Sequence, residues 1–188
     1  MSADRLQSHL GSLRALLVAA LQRLGDPAAT ESLHEMRVVL RRLRMLLRPL
    51  ARSGQPGLLR DVAAGVFRQT NSLRDDEVLL EELVRNGMHA AAAARQVQQV
   101  RDRQALMDSP GLDGLMAAWP VDGVACLSGP SRRQRRGLKQ KMRRESVKAR
   151  RKLRRQLRRP APDLHAVRLA IKRLRCRLLA KGHVSPSL

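Results

Sequence analysis

Two stretches of this sequence repeat one pattern: residues 34–44 read HEMRVVLRRLR, and residues 165–175 read HAVRLAIKRLR. The two stretches are offset by 131 residues. Each begins with a His, has a basic residue three, seven, eight and ten positions later, and has a Leu nine positions later. An internal duplication changes how the whole chain is interpreted, because each copy is expected to form the same structural unit.

Each copy separates charge from apolar residues when it is wound as a helix at about 100° per residue. In the first copy four bases fall within roughly 80° on one side of His34, namely Arg37, Arg41, Arg44 and Arg48. The opposite face is apolar and contains Met36, Val39, Leu40, Leu43, Leu46, Leu47 and Leu50. In the second copy the same row is His165, Arg168, Lys172 and Arg175, with Val167, Ala170, Ile171, Leu174 and Leu178 opposite. The pattern predicts two amphipathic helices, each with a row of bases.

These rows of bases indicate a binding surface for a polyanion. Like charges on one helix face repel by some tenths of a kcal/mol per pair, so folding gains nothing from them, whereas a bound polyanion would remove the repulsion. One basic helix face is usually only solvated surface, but two faces with identical spacing favour binding. The candidate binding residues are His34, Arg37, Arg41, Arg42, Arg44, Arg48, His165, Arg168, Lys172, Arg173 and Arg175, with additional basic contacts from Arg136, Lys139 and Arg143.

Outside the two stretches the sequence predicts further helices and no strand. The predicted helices cover residues 4–24, 32–50, 58–85, 88–107, 131–159 and 163–180, with 58–85 either one kinked helix or two short ones. Ser32 and Glu35 have capping-box spacing. Pro and Gly interrupt residues 108–130, which are predicted to be a linker or long loop. The expected fold class is therefore all-α, a helical bundle with an internal pseudo-two-fold repeat: residues 1–107 form the first repeat, and residues 131–188 form a second, truncated one.

Composition agrees with a helical protein that has an anionic partner. Hydrophobic residues make up 43% of the chain, yet it has one Phe, one Trp and no Tyr, so the core is expected to consist of Leu, Ala, Val and Met. The formal net charge is +22. Residues 131–188 carry 22 bases and 2 acids, which gives +20, and residues 1–130 carry 16 bases and 14 acids, which gives +2. Such a charge predicts a strongly anionic partner.

At the two repeated stretches the sequence resembles the CHAD domain family, the conserved histidine α-helical domain. The family signature is a His followed by Arg three, seven and ten residues later, present twice. Residues 73–78, LRDDEV, are similar to a further motif of that family. The resemblance implies two pseudo-symmetric helical bundles that bind inorganic polyphosphate in a basic channel, often at polyphosphate granules. The sequence departs from the family pattern at Cys176, where an aromatic residue is usual. It also departs in its short second repeat, so the chain is expected either to be a degenerate or truncated member of the family or to have its second bundle completed by another subunit.

No enzyme motif is present, so we expect a binding protein without catalytic residues, cofactor or metal. The acids at Asp75, Asp76, Glu77, Glu81 and Glu82 are expected to form salt bridges with the basic face. The N-terminus lacks a signal-peptide layout, which predicts a cytoplasmic protein. Two alternatives stay open. Residues 131–159 would bind nucleic acid non-specifically through its backbone, and residues 138–157 would form an amphipathic helix on a membrane surface.

Overall fold

The chain is all-α throughout the part that the structure describes. The computed structural model describes residues 3–26, 29–50, 54–119, 121, 132–161 and 163–179. Its helices are α1 (Ala3–Leu24), α2 (Ser32–Leu47), α3 (Gly54–Arg85), α4 (His89–Met107), α5 (Pro110–Ala118), α6 (Arg132–Leu157) and α7 (Leu164–Leu179), and a short 3₁₀-helix, Arg48–Leu50, extends α2. These residues include no strand, which confirms the predicted fold class. The pseudo-two-fold relation between the repeats stays a prediction.

The core lies between α1, α2 and α3, which pack side by side, and α4 and α5 pack on α3. As predicted, it is built mainly from aliphatic side chains that recur every three or four residues along each helix. Leu6, Leu10, Leu13, Leu17 and Leu24 of α1 and Leu33, Met36, Leu40, Leu43 and Leu47 of α2 are fully buried. The basic row of α2 is therefore fixed to the outside of a packed core.

Residues 54–85 form one helix, which agrees with the one-helix alternative for residues 58–85. Two local predictions differ from the structure. The linker prediction is wrong for residues 110–118, which form α5 with Ser109 as its N-cap; residues 120 and 122–130 lie outside the described part. Ser32 and Glu35 do not form a capping box: Ser32 Oγ donates to the Ala29 carbonyl, and Glu35 forms an ion pair with Arg23 of α1 instead.

Helices α6 and α7 pack against each other and reach the first bundle through contacts of α7 with α2 and of α6 with the 3₁₀-helix. Helix α6 buries Met142 and Ala149, whereas Leu157 is 57% exposed. Helix α7 buries Ala170 but leaves Ile171 50% exposed. Contacts with α6 and α2 thus cover one side of α7, and apolar side chains on another side of α7 are exposed to solvent.

Candidate polyanion-binding site

Three bases of the α2 row converge on one aromatic ring of α3. The guanidinium carbons of Arg37, Arg44 and Arg41 lie 4.6, 5.1 and 5.8 Å from the centroid of the Phe67 ring. Phe67 is the one Phe of the chain. Each such contact contributes about 0.5–1 kcal/mol at an exposed position and about 2 kcal/mol when it is desolvated. These three bases and this ring form what we call the Phe67 cluster: Arg37, Arg41, Arg44 and Phe67.

Arg37 is the member of the cluster that is tied most firmly to the fold. Its Nη1 donates to the backbone carbonyl of Thr70 at 2.7 Å and to Thr70 Oγ1 at 2.6 Å. Nη1 and Nη2 both donate to Asn71 Oδ1 at 3.2 Å. These bonds join α2 to α3, so part of the donor capacity of Arg37 is already used within the protein.

The electrostatics of the cluster are unfavourable to the folded chain. Desolvation first, and then the positive charges of Arg41 and Arg74, lower the pKa of Arg37. Desolvation and the charges of Arg68, Arg60 and Arg41 likewise lower the pKa of Arg44. Within the described residues no carboxylate forms an ion pair with Arg37, Arg41 or Arg44. The cluster is a concentration of positive charge that lacks a paired anion there.

The last base of the α2 row lies in a cavity that also involves the second repeat. Arg48 lines a cavity of about 420 Å³ together with Arg173 of α7 and with Lys148 and Lys152 of α6. Glu145, Ala149 and Ala170 complete its lining, and Glu145 Oε1 accepts from Lys148 Nζ at 3.3 Å. Arg48, which follows the first repeated stretch, and Arg173, which belongs to the second, therefore line the same cavity.

The remaining candidate residues are more dispersed. His34 is exposed on the first turn of α2. Arg42 is separate from the Phe67 cluster, because it lies close enough to His9 of α1 to lower the pKa of that imidazole, after the larger effect of burial. His165, Arg168 and Lys172 are exposed on α7, and Arg175 is partly buried. Arg136, Lys139 and Arg143 are exposed on α6.

The acidic residues of α3 do not pair with the α2 row, so that expectation was wrong. Glu77 accepts from Arg74 Nη1 at 2.8 Å and from the buried Arg103 Nη2 at 3.1 Å. Asp76 pairs with Arg95 of α4. Glu77 and Asp76 thus stabilise the α3–α4 contact through Arg103 and Arg95. The charges of Asp75 and Glu77 also act on Arg37 and partly offset the lowering of its pKa, but within the described residues no acid of α3 forms an ion pair with Arg37, Arg41 or Arg44.

Two absences among the described residues bear on the chemistry of the site. In the described ranges no three His, Cys, Asp or Glu side chains are grouped so that they could hold a metal ion. Within the same ranges no helix has the length and the apolar character needed to cross a membrane.

Four residues that line these sites were missed from the sequence: Phe67 and Arg68 of α3, and Lys148 and Lys152 of α6. Arg68 follows Phe67 directly, and its charge acts on Arg44. The base patterns of α2 and α7 do not indicate that these four residues lie near the α2 row, because the position of α3 or α6 relative to α2 is a tertiary feature. The single Phe in an otherwise aliphatic chain was the available signal.

Comparison with known proteins gives one finding. The family model described as the CHAD domain matches residues 4–180, which is most of the chain. Neither the curated proteins nor the solved structures gave a match.

Proposed function

Because the chain belongs to the CHAD domain family, we propose that it binds inorganic polyphosphate through Arg41 and Arg44 of α2 and through Arg48 of the 3₁₀-helix that extends it. Arg37 and the bases of α6 and α7 are further contacts. The observation that carries this proposal is the Phe67 cluster, in which three guanidinium groups converge without a paired carboxylate in the described residues. A phosphate chain supplies closely spaced negative oxygens, and guanidinium groups bind such oxygens through paired donors.

The length of the row supports a polymeric ligand over a single phosphate. Arg37 and Arg48 are eleven residues apart, and at a rise of about 1.5 Å per residue they are separated by about 16 Å along the helix. The cavity at Arg48 continues this row with Lys148, Lys152 and Arg173. A linear polyanion would contact all of these bases at once, whereas an isolated phosphate would contact one or two.

Nucleic acid is the second candidate ligand, and the outer surface of α6 favours it. Arg150, Arg154 and Arg155 are exposed there, and such bases bind any phosphate backbone. Base stacking, however, requires accessible aromatic faces. Trp119 is fully buried, and guanidinium groups lie over Phe67. The aromatic residues of this chain therefore support a ligand that has phosphates and no bases.

The proposed role is binding without catalysis, in the cytoplasm at polyphosphate granules. Helix α7 leaves Leu164 79% and Ile171 50% exposed, which supports a second copy of the chain as a further partner.

Two matched triple variants test the proposed site. Arg41/Arg44/Arg48→Gln removes three charges from the row, and Arg150/Arg154/Arg155→Gln removes three charges from the outer surface of α6. None of these six side chains forms an ion pair in the described residues, so both variants are expected to remain folded. Binding to polyphosphate and to DNA is measured over a salt series at equal phosphate concentration, with circular dichroism to confirm helicity.

We expect the row variant to lose about tenfold or more of its polyphosphate affinity and much less of its DNA affinity. For this variant the slope of log binding constant against log salt concentration should become shallower by about 0.7 for each lost phosphate contact, or by about 2 in total. The α6 variant should weaken both ligands by a similar factor. Equal losses of polyphosphate affinity in the two variants would mean that the row is only a solvated basic face.

A further inference from the structure

Phe67 contributes to the basic row in a way that the charge pattern alone does not indicate. Three guanidinium carbons lie within 5.8 Å of its ring centroid. These groups repel one another, because the positive charge of Arg41 contributes, after desolvation, to lowering the pKa of both Arg37 and Arg44. The negative face of an aromatic ring attracts cations, so the ring opposes this repulsion. A leucine at the same position would fill similar space but would lack that attraction.

The three arginines depend on the ring to different degrees. Arg37 also donates hydrogen bonds to Thr70 and Asn71, which hold it to α3 without the ring. Arg41 and Arg44 have no hydrogen-bond or ion-pair partner among the described residues, and their contact with Phe67 is the attractive contact that the structure gives them. An arginine side chain that is free loses much rotamer entropy when it becomes ordered on a ligand.

We propose that Phe67 is a positioning residue for polyphosphate binding, whose ring holds Arg41 and Arg44 in the orientation in which they receive the phosphate chain. The ring does not contact the ligand in this role. It acts through the two guanidinium groups, because it orders them before the ligand arrives and so reduces the entropy that binding costs. This inference rests on the proposed function of the row.

Phe67→Leu tests the role of the ring, with Phe67→Tyr as the matched variant that keeps an aromatic face. We expect Phe67→Leu to bind polyphosphate about fivefold to thirtyfold more weakly and Phe67→Tyr to bind it as the native chain does. The salt slope of Phe67→Leu should stay unchanged, because the number of charges that meet phosphate is the same. Circular dichroism checks that each variant is folded. If Phe67→Leu does not fold, Phe67→Met takes its place.

A double-mutant cycle separates positioning from a general loosening of the fold. In the Arg41/Arg44→Gln background positions 41 and 44 carry no guanidinium group that the ring could hold in place. Phe67→Leu should then change polyphosphate affinity by less than about twofold. A loss in that background as large as in the native chain would overturn the inference, since the ring would then act through the fold.

The same measurements distinguish failure of this inference from failure of the proposed function. If Arg41/Arg44→Gln weakens polyphosphate binding while Phe67→Leu binds as tightly as the native chain, the row is the site and Phe67 does not position it. If the native chain does not bind polyphosphate, or Arg41/Arg44→Gln leaves binding unchanged, the proposed function fails and the inference fails with it.

Discussion

Arg37 and Arg44 belong to one basic row, yet the structure predicts that replacement by Gln destabilises the fold at Arg37 and leaves its stability almost unchanged at Arg44. Arg37 donates to the Thr70 carbonyl, to Thr70 Oγ1 and to Asn71 Oδ1, and its guanidinium carbon lies 4.6 Å from the Phe67 centroid. Arg44 has the ring contact alone among the described residues. The shorter, neutral glutamine side chain cannot reproduce the two-nitrogen contact of Arg37 with Asn71.

The magnitude for Arg37→Gln follows from these contacts. A hydrogen bond to a charged group contributes about 1.5–3 kcal/mol, and the lower end applies because Arg37 is only partly buried. Relief of repulsion returns some tenths of a kcal/mol. The expected net loss in the free energy of unfolding is about 1–2 kcal/mol, or about 2–8 °C in melting temperature for a chain of this size. For Arg44→Gln the lost ring contact and the relieved repulsion nearly cancel, so we expect a change of less than about 0.5 kcal/mol.

Thermal and urea denaturation followed by circular dichroism measure both variants. A melting temperature that falls for Arg37→Gln and stays unchanged for Arg44→Gln supports the distinction between a base tied to the fold and a base available to a ligand. If both variants melt at the same temperature, the hydrogen bonds of Arg37 do not stabilise the α2–α3 contact and the reasoning is wrong.

Three further predictions follow from other parts of the structure. Burial, and then the charge of Arg42, lower the pKa of His9, so the unfolded chain binds more protons than the folded chain as the pH falls through 6.5, and the fold loses stability. Between about pH 7.5 and about pH 5.5 the melting temperature of His9→Gln should therefore fall by less than that of the native chain. An equal fall in both would contradict this role of His9. Glu77→Gln leaves the buried charge of Arg103 without its carboxylate, so urea denaturation should show that the free energy of unfolding falls by about 3–5 kcal/mol. A fall of less than about 1 kcal/mol would show that the pair contributes little to stability. The exposed apolar side chains of α7 predict association that depends on concentration; sedimentation should show this association in the native chain and less of it after Ile171→Gln, and a native chain that remains monomeric would contradict the prediction.

Much of the helical architecture could be predicted from residue spacing. Leucines at intervals of three and four predicted α1 and α2, because that period places them on one helix face. The Pro- and Gly-containing stretch at 110–118 was misinterpreted as a loop. Pro110 lies in the first turn of α5, where a missing N–H costs nothing, and Ser109 caps that turn. A Cβ at Gly111 would come within 2.9 Å of the Gln69 side-chain oxygen of α3, so that flexible side chain would have to move.

The candidate site was predictable only in part, for a physical reason. Helical periodicity shows which side chains of α2 share a face, so the row of Arg37, Arg41 and Arg44 could be derived from one helix. It does not show what another helix places against that face. The contact of the row with Phe67, and the pairing of Glu77 with Arg103 of α4 in place of the row, depend on how α3 packs. Both features come from tertiary structure.

A crystal structure of the chain with polyphosphate bound would test the central claim most directly. The account predicts phosphate oxygens within about 2.7–2.9 Å of the guanidinium nitrogens of Arg41 and Arg44, with the chain continuing toward Arg48. Phosphates bound only along the exposed bases of α6, with Arg41 and Arg44 left unliganded beside Phe67, would contradict it.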